Sequence, residues 1–147
     1  FISAALTTWA TGYDRGRPHF VVEGPGFTVN DGYFTIVLNT NPYTYLGNRP
    51  FDLSPAATLD RGLVAITFRT LRAMAVIGSI TGALRGGGVK PSAHLDVRTD
   101  LTELTIRRTD SVDGFPYQVD GDYLGQTERL EFVHRPDAVR LIRPAAR

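Results

Sequence analysis

Hydrophobic residues recur along this chain with two different periods. Near the start, Ile2, Ala5, Leu6, Trp9, Ala10 and Tyr13 fall at helical spacing and make one apolar face. That spacing predicts an N-terminal helix, with Gly12 and Gly16 as stopping points and Trp9 as a core residue. The pattern then changes to alternation. His19-Phe20-Val21-Val22-Glu23 reads as a strand, Gly24-Pro25-Gly26 as a tight turn and Phe27-Thr28-Val29 as the next extended run. Asn30-Asp31-Gly32 is a hairpin-type turn signal. Tyr33 to Asn39 is the strongest strand by composition, being β-branched and aromatic. Its near-continuous apolar run predicts burial on both faces.

Residues 40–61 read as a long loop rich in Asn, Pro, Tyr and Gly. A loop of that length in a compact domain is functional or folded on itself. Leu63 to Phe68 is a further buried strand. A helix follows, capped by Thr70 and running to about Leu84, with Leu71, Met74, Ala75, Gly78, Thr81 and Leu84 on one face. It is largely uncharged after Arg72, which suits burial first, and otherwise a lobe interface or a lipid contact. Gly86-Gly87-Gly88 reads as a flexible connector. Beyond it, His94 to Arg98 and Leu101 to Arg107 alternate apolar with polar, so each has one wet face. Phe115 to Val119, Leu130 to His134 and Ala138 to Ile142 complete the strand-like runs. The expected fold class is mainly β: an antiparallel β-sandwich with two helices, forming a single domain over residues 1–147.

Composition narrows the function without choosing it. The chain has 147 residues and a net charge of +1, so charge balance alone implies no nucleic-acid partner. It has no cysteine, which excludes a disulfide framework and Cys-based metal sites and fits a reducing compartment. No apolar run reaches the roughly 20 residues of a transmembrane helix. No signal peptide is visible. The chain does not begin with Met, so it reads as processed or as a fragment. His19, His94 and His134 lack metal-ligand spacing and are expected at surface or strand-edge positions. Ser54, Ser79, Ser92 and Ser111 lack a nucleophile-elbow context. There is no Walker loop and no dinucleotide fingerprint. Arg107, Arg108, Arg135, Arg140, Arg143 and Arg147 make the second half mildly basic, by default a solvated surface and otherwise an attraction for anionic lipid headgroups.

One segment carries candidate chemistry. Val119-Asp120-Gly121-Asp122 sets two carboxylates around a glycine at a strand-to-turn corner. By itself such a corner is a turn, because Gly permits positive φ and Asp caps its own backbone. Its surroundings add weight to a functional reading. Pro136-Asp137-Ala138 and Pro144 follow it. Asn39-Thr40-Asn41-Pro42-Tyr43-Thr44-Tyr45-Leu46-Gly47 and Pro55-Ala56-Ala57-Thr58-Leu59-Asp60-Arg61-Gly62-Leu63 precede it. In this order, and over most of the chain, these segments resemble the C-terminal lobe of the diacylglycerol kinase-like lipid kinases, which include the sphingosine kinases. The first loop is most similar to the actinobacterial branch.

The resemblance implies an ATP-dependent lipid kinase that phosphorylates a lipid hydroxyl such as that of diacylglycerol. In that family ATP binds largely on an N-terminal lobe with a Gly-Gly-Asp-Gly-Thr loop, which this sequence lacks. The chain is then one lobe of two, inactive alone, with that nucleotide-binding lobe and a membrane lipid as partners. ATP and Mg²⁺ are the implied cofactors. The resemblance makes Asp120 the general base and puts Gly121 and Asp122 on the nucleotide side, with Asp122 where the family has Glu. It sets Asp60 near a structural metal, with Arg61 in place of an acidic residue. Asn39 and Asn41 are expected to hold their loop through side-chain-to-backbone bonds. The implied location is cytoplasmic and peripheral to a membrane, and a homodimer is left open. The alternative is a non-enzymatic β-sandwich ligand-binding module, for which the Asp-Gly corner is only a turn.

Overall fold

The structure, a computed structural model, describes residues 16–71, 78, 81 and 85–138. Eleven strands are defined there: β1 (Phe20–Gly24), β2 (Phe27–Gly32), β3 (Phe34–Leu38), β4 (Thr44–Leu46), β5 (Arg49–Phe51), β6 (Leu63–Phe68), β7 (Leu95–Leu101), β8 (Glu103–Arg108), β9 (Phe115–Val119), β10 (Asp122–Thr127) and β11 (Arg129–Val133). They form a four-stranded sheet in the order β11-β8-β1-β2 and a three-stranded sheet in the order β3-β6-β7. β4-β5 and β9-β10 are separate two-stranded hairpins. All pairings are antiparallel. The mainly β, antiparallel expectation therefore holds. The N-terminal helix, most of the helix after Thr70 and the strand from Ala138 lie outside the described residues. Gly78 and Thr81, described within the second helix, are helical.

β6 is the centre of the packing. Its sequence, Leu-Val-Ala-Ile-Thr-Phe, has almost no residue that a wet face would tolerate. Val64, Ile66 and Phe68 point into one core with Leu38, Leu95, Leu53, Ala57 and Val89. Leu63 and Ala65 point the other way, into a core shared with Phe20, Val22, Val29, Leu104, Ile106 and Phe115 of the four-stranded side. The two sheets thus face each other across the second core. The loops around Leu53 and Val89 cover the outer side of the three-stranded sheet. Thr67 is buried but not unsatisfied, since the Thr35 hydroxyl donates to its Oγ1 at 3.0 Å.

Two corners carry the chain between the sheets. The first is Gly32-Tyr33-Phe34, where β2 leaves one sheet and β3 joins the other. Asn30-Asp31-Gly32, read as a hairpin turn, is instead the end of β2. Gly32 pairs with Phe20, and a Cβ there would lie 2.5 Å from the Phe20 ring. The Asp31 carboxylate accepts from Arg69 Nε at 2.8 Å, tying β2 to the end of β6. The second corner is a bulge at the end of β7. Leu63 pairs with Leu101 but Ala65 pairs with Arg98, so β7 carries one extra residue. Leu95 and Val97 face the first core, and after the bulge Leu101 faces the second. Asp100, at φ 60, adopts the left-handed conformation within it. Its Oδ1 accepts from the Gly62 N–H at 3.0 Å, and its Oδ2 lies 3.7 Å from Arg61 Nη2.

Four expectations need correction here. β3 is an edge strand with Phe34 exposed, so it is half-buried rather than buried on both faces. Two-sided burial belongs to β6, which has neighbours on both edges. The 40–61 loop contains the β4-β5 hairpin. The glycine connector is packed at its last residue, though Gly86 and Gly87 are exposed: Gly88 is buried, and the Val89 N–H donates to Leu53 O at 2.8 Å. His19 is also buried, at the start of β1, where its N–H donates to Gly32 O.

Ile66 is fully buried, so Ile66→Ala should cost about 2–5 kcal/mol in urea denaturation. Phe34→Ala, at a 43% exposed site, should cost no more than about half of that. Gly62→Ala should lower the denaturation midpoint by about 1–3 kcal/mol of stability. Its new Cβ would sit 2.7 Å from the backbone at Asp100 and Leu101, which cannot swing aside as a side chain would.

Candidate functional site

β9 and β10 form a hairpin inserted between β8 and β11. Its base is held from two sides. Phe115 is buried in the second core with its ring centroid 5.3 Å from that of Phe20. Arg108 donates to the carbonyl of Val112 at 3.0 Å and to Glu128 Oε2 at 3.2 Å, while its own N–H donates to Glu128 O at 2.8 Å. Arg108 is therefore a clamp, where the sequence suggested a solvated charge. Arg107, on the outer face of the sheet, pairs with Glu23 at 3.1 Å.

The sequence segment of interest lies at the tip. Val119 pairs with Asp122, leaving Asp120-Gly121 as a two-residue loop. Both central residues have positive φ, 51 and 93, which is the type I′ pattern. Asp and Gly are the residues this turn requires, because a larger side chain clashes in the left-handed region. Tyr123 pairs with Gln118 but Gly125 pairs with Tyr117, so Leu124 is the extra residue of a bulge. Asp120 and Asp122 are exposed, and beside them are exposed Val119, Tyr123 and Leu124. A carboxylate on an accessible, apolar-rimmed tip can meet a hydroxyl presented by another body.

Asp60 is elsewhere, on the loop between β5 and β6. The Arg61 N–H donates to Thr58 O at 3.1 Å, so Thr58 to Arg61 is a turn. Among the described residues no group of three His, Cys, Asp or Glu side chains gathers as a metal site needs. Asp60 offers one carboxylate, and the adjacent Arg61 is drawn towards Asp100. The described residues do not by themselves make a metal site around Asp60.

Asn41 holds its loop as expected, but through a carboxylate rather than backbone: its Nδ2 donates to Asp52 Oδ1 at 3.1 Å. Asn41 Oδ1 and Thr58 Oγ1 are buried without a hydrogen-bond partner. Asn39 is exposed.

Two features were not read from the sequence. One is a shallow groove of about 470 Å³ on the outer face of the four-stranded sheet, lined by Glu23, Glu103, Thr105, Arg129 and Glu131. Its Glu23 carboxyl is held below its ordinary value, first by the hydrogen bond from Arg107 and then by the charges of Arg107 and Arg129, against an opposing desolvation. The stabilisation this gives is present above the ordinary glutamate range and lost as pH falls through the lowered value. It is small, since the pair is exposed. The other feature is the outer face of the β4-β5 hairpin, where Tyr43 and Tyr45 are exposed. Alternation of charged and apolar residues in β8 and β11 signals the groove only once their register is known. Among the described residues, no helix is long and apolar enough to cross a membrane.

No family model matches the sequence, and no curated protein matches it. The fold is similar to a solved structure, that of a candidate diacylglycerol kinase from Bacillus anthracis str. Sterne. The likeness covers 94% of this chain and 48% of that one, with a TM-score of 0.53 and 17% sequence identity. The chain thus spans about half the length of the structure it matches. At that identity the likeness establishes the fold: this is a mainly antiparallel β domain of the architecture found within that protein.

Proposed function

We propose that the chain is the C-terminal lobe of a lipid kinase that phosphorylates a lipid hydroxyl such as that of diacylglycerol. The fold likeness over nearly the whole chain is the observation that carries this reading. The order of the sequence segments around Asn39, Pro55, Asp120 and Pro136 supports it. The second lobe would cradle ATP, and Mg²⁺ bound with the nucleotide supplies neutralising charge to the transferred phosphoryl group. Asp120 is the general base. Its carboxylate orients the lipid hydroxyl and accepts its proton as the oxygen attacks. Gly121 lets the turn close tightly enough to present that carboxylate, and Asp122 faces the nucleotide side. Asp60 would touch a metal only with ligands from beyond the described residues, and no step runs through it. The enzyme works at a membrane surface from the cytoplasmic side.

A second reading, a ligand-binding β-sandwich without chemistry, is favoured by one observation. Asp120-Gly121 has the loop length, residue types and positive φ values of a type I′ turn, so the corner needs no catalytic explanation.

Substitutions at the corner separate the two. In the protein that joins this chain to its nucleotide-binding lobe, Asp120→Asn should reduce lipid phosphorylation about 10²- to 10⁴-fold. Asn suits the same turn, so stability of the 147-residue chain should stay within about 0.5 kcal/mol. Gly121→Val should instead cost about 1–2 kcal/mol, because a β-branched residue is strained at positive φ. Asp122→Glu should keep or raise activity. Full activity in Asp120→Asn with a dead Asp122→Asn would move the base to Asp122. Full activity in both would leave the corner as a turn and favour the binding module.

A further inference from the structure

The β4-β5 hairpin presents a surface that neither the turn at Asp120 nor the core explains. Its register pairs Thr44 with Phe51, Tyr45 with Pro50 and Leu46 with Arg49. Cross-strand partners share a face, and faces alternate along a strand. Phe51 packs against the first core, so the Tyr45-Pro50 pair points outward. Tyr43 extends the ladder, donating its N–H to Phe51 O at 3.1 Å, and lies one pleat before Tyr45 on the outer side. Tyr45 is 62% exposed and Tyr43 is 43% exposed. The hairpin is held in place rather than hanging free. Phe51 anchors one end, and the Asn41-Asp52 hydrogen bond closes its base.

We infer that this outer face, Tyr43, Tyr45 and Pro50 with Arg49 at the tip, docks the domain on an anionic lipid bilayer. Charge decides the occupant. From Pro42 to Phe51 there is no acidic residue, and exposed Arg49 is the only charge. A negative membrane surface attracts such a tip. The other exposed apolar tip, at Val119, Tyr123 and Leu124, has carboxylates and no cation beside it, so charge adds nothing to its hold on an anionic surface; in the proposed enzyme it reaches one lipid hydroxyl rather than anchoring the domain. Tyr is also the residue type that settles at headgroup depth, with an apolar ring and a polar hydroxyl. Two rings and one cation make a weak, reversible contact, suited to a protein that visits a bilayer. The inference rests on the lipid-kinase reading for choosing a bilayer over a soluble partner.

The test is co-sedimentation of the 147-residue chain with two vesicle types. One is pure phosphatidylcholine. The other contains phosphatidylglycerol at about a third of the lipid, enough to give a negative surface. The chain should bind the anionic vesicles more tightly than the neutral ones. Tyr45→Ser with Arg49→Gln should weaken anionic binding about tenfold, with an unchanged denaturation midpoint. Val133→Ser, at an exposed apolar residue of β11, should bind as the parent does. Full retention of binding by the double variant would overturn the inference. So would failure of the folded parent chain to bind either vesicle. A concentration-dependent dimer, lost in Tyr45→Ser and unaccompanied by vesicle binding, would assign the face to a second copy instead. No phosphorylation is read here. A chain that binds vesicles through this hairpin but supports no kinase would refute the kinase reading and leave the docking surface standing.

Discussion

Two-sided burial of β6 is the constraint on which the rest of this domain depends. A strand with Val64, Ile66 and Phe68 on one face and Leu63, Ala65 and Thr67 on the other must be covered twice. The four-stranded sheet covers one face. The loops around Leu53, Ala57 and Val89 cover the other, which obliges the long 40–61 segment to fold back on itself. That packing fixes where the β4-β5 hairpin emerges, because Phe51 belongs to the same core. The sheets must also be joined by corners that reverse which side a residue faces. The bulge at Asp100 does this for Leu101, and the side chain of Asp100 then fastens the corner to Gly62.

The parts of the fold written in hydrophobic pattern were legible from sequence. β6 declares itself in an unbroken apolar run, and β8 and β11 in strict alternation. The pattern failed where exposure, not burial, sets the strand. β4 and β5 are short, joined by Gly47-Asn48, and include Pro50, and β10 carries Gly125 with exposed Tyr123 and Leu124; each pairs with one neighbour. Asn30-Asp31-Gly32 misled because its turn chemistry is real, yet Asp31 is engaged by Arg69 and Gly32 makes room for Phe20. Gly88 was misread for a similar reason. A glycine that allows flexibility also allows close approach, and here a Cβ would lie 2.6 Å from Pro55.

The candidate site was legible as a turn before it was legible as chemistry. Asp120 serves both readings because the demands fall on different atoms. The turn constrains its backbone, and the proposed base uses its carboxylate. What the sequence did not reveal was the setting: an exposed tip, clamped at its base by Arg108 and Phe115. Arg108 looked like one of several surface cations, and only the path of the chain through Val112 and Glu128 gives it a role. Asp60 and Asp120, both acidic loop residues in the sequence, turn out to occupy separate loops with separate local purposes.

In the proposed enzyme this β domain is half of a phosphoryl-transferring pair, contributing the base and the membrane side. The most direct test is reconstitution in trans. The 147-residue chain is mixed with a separately produced nucleotide-binding lobe, labelled ATP, Mg²⁺ and diacylglycerol vesicles, and transfer of label to lipid is measured. Phosphatidic acid should form only when both pieces are present. Lipid phosphorylation by the 147-residue chain alone, or undiminished phosphorylation by the other lobe without it, would contradict the account.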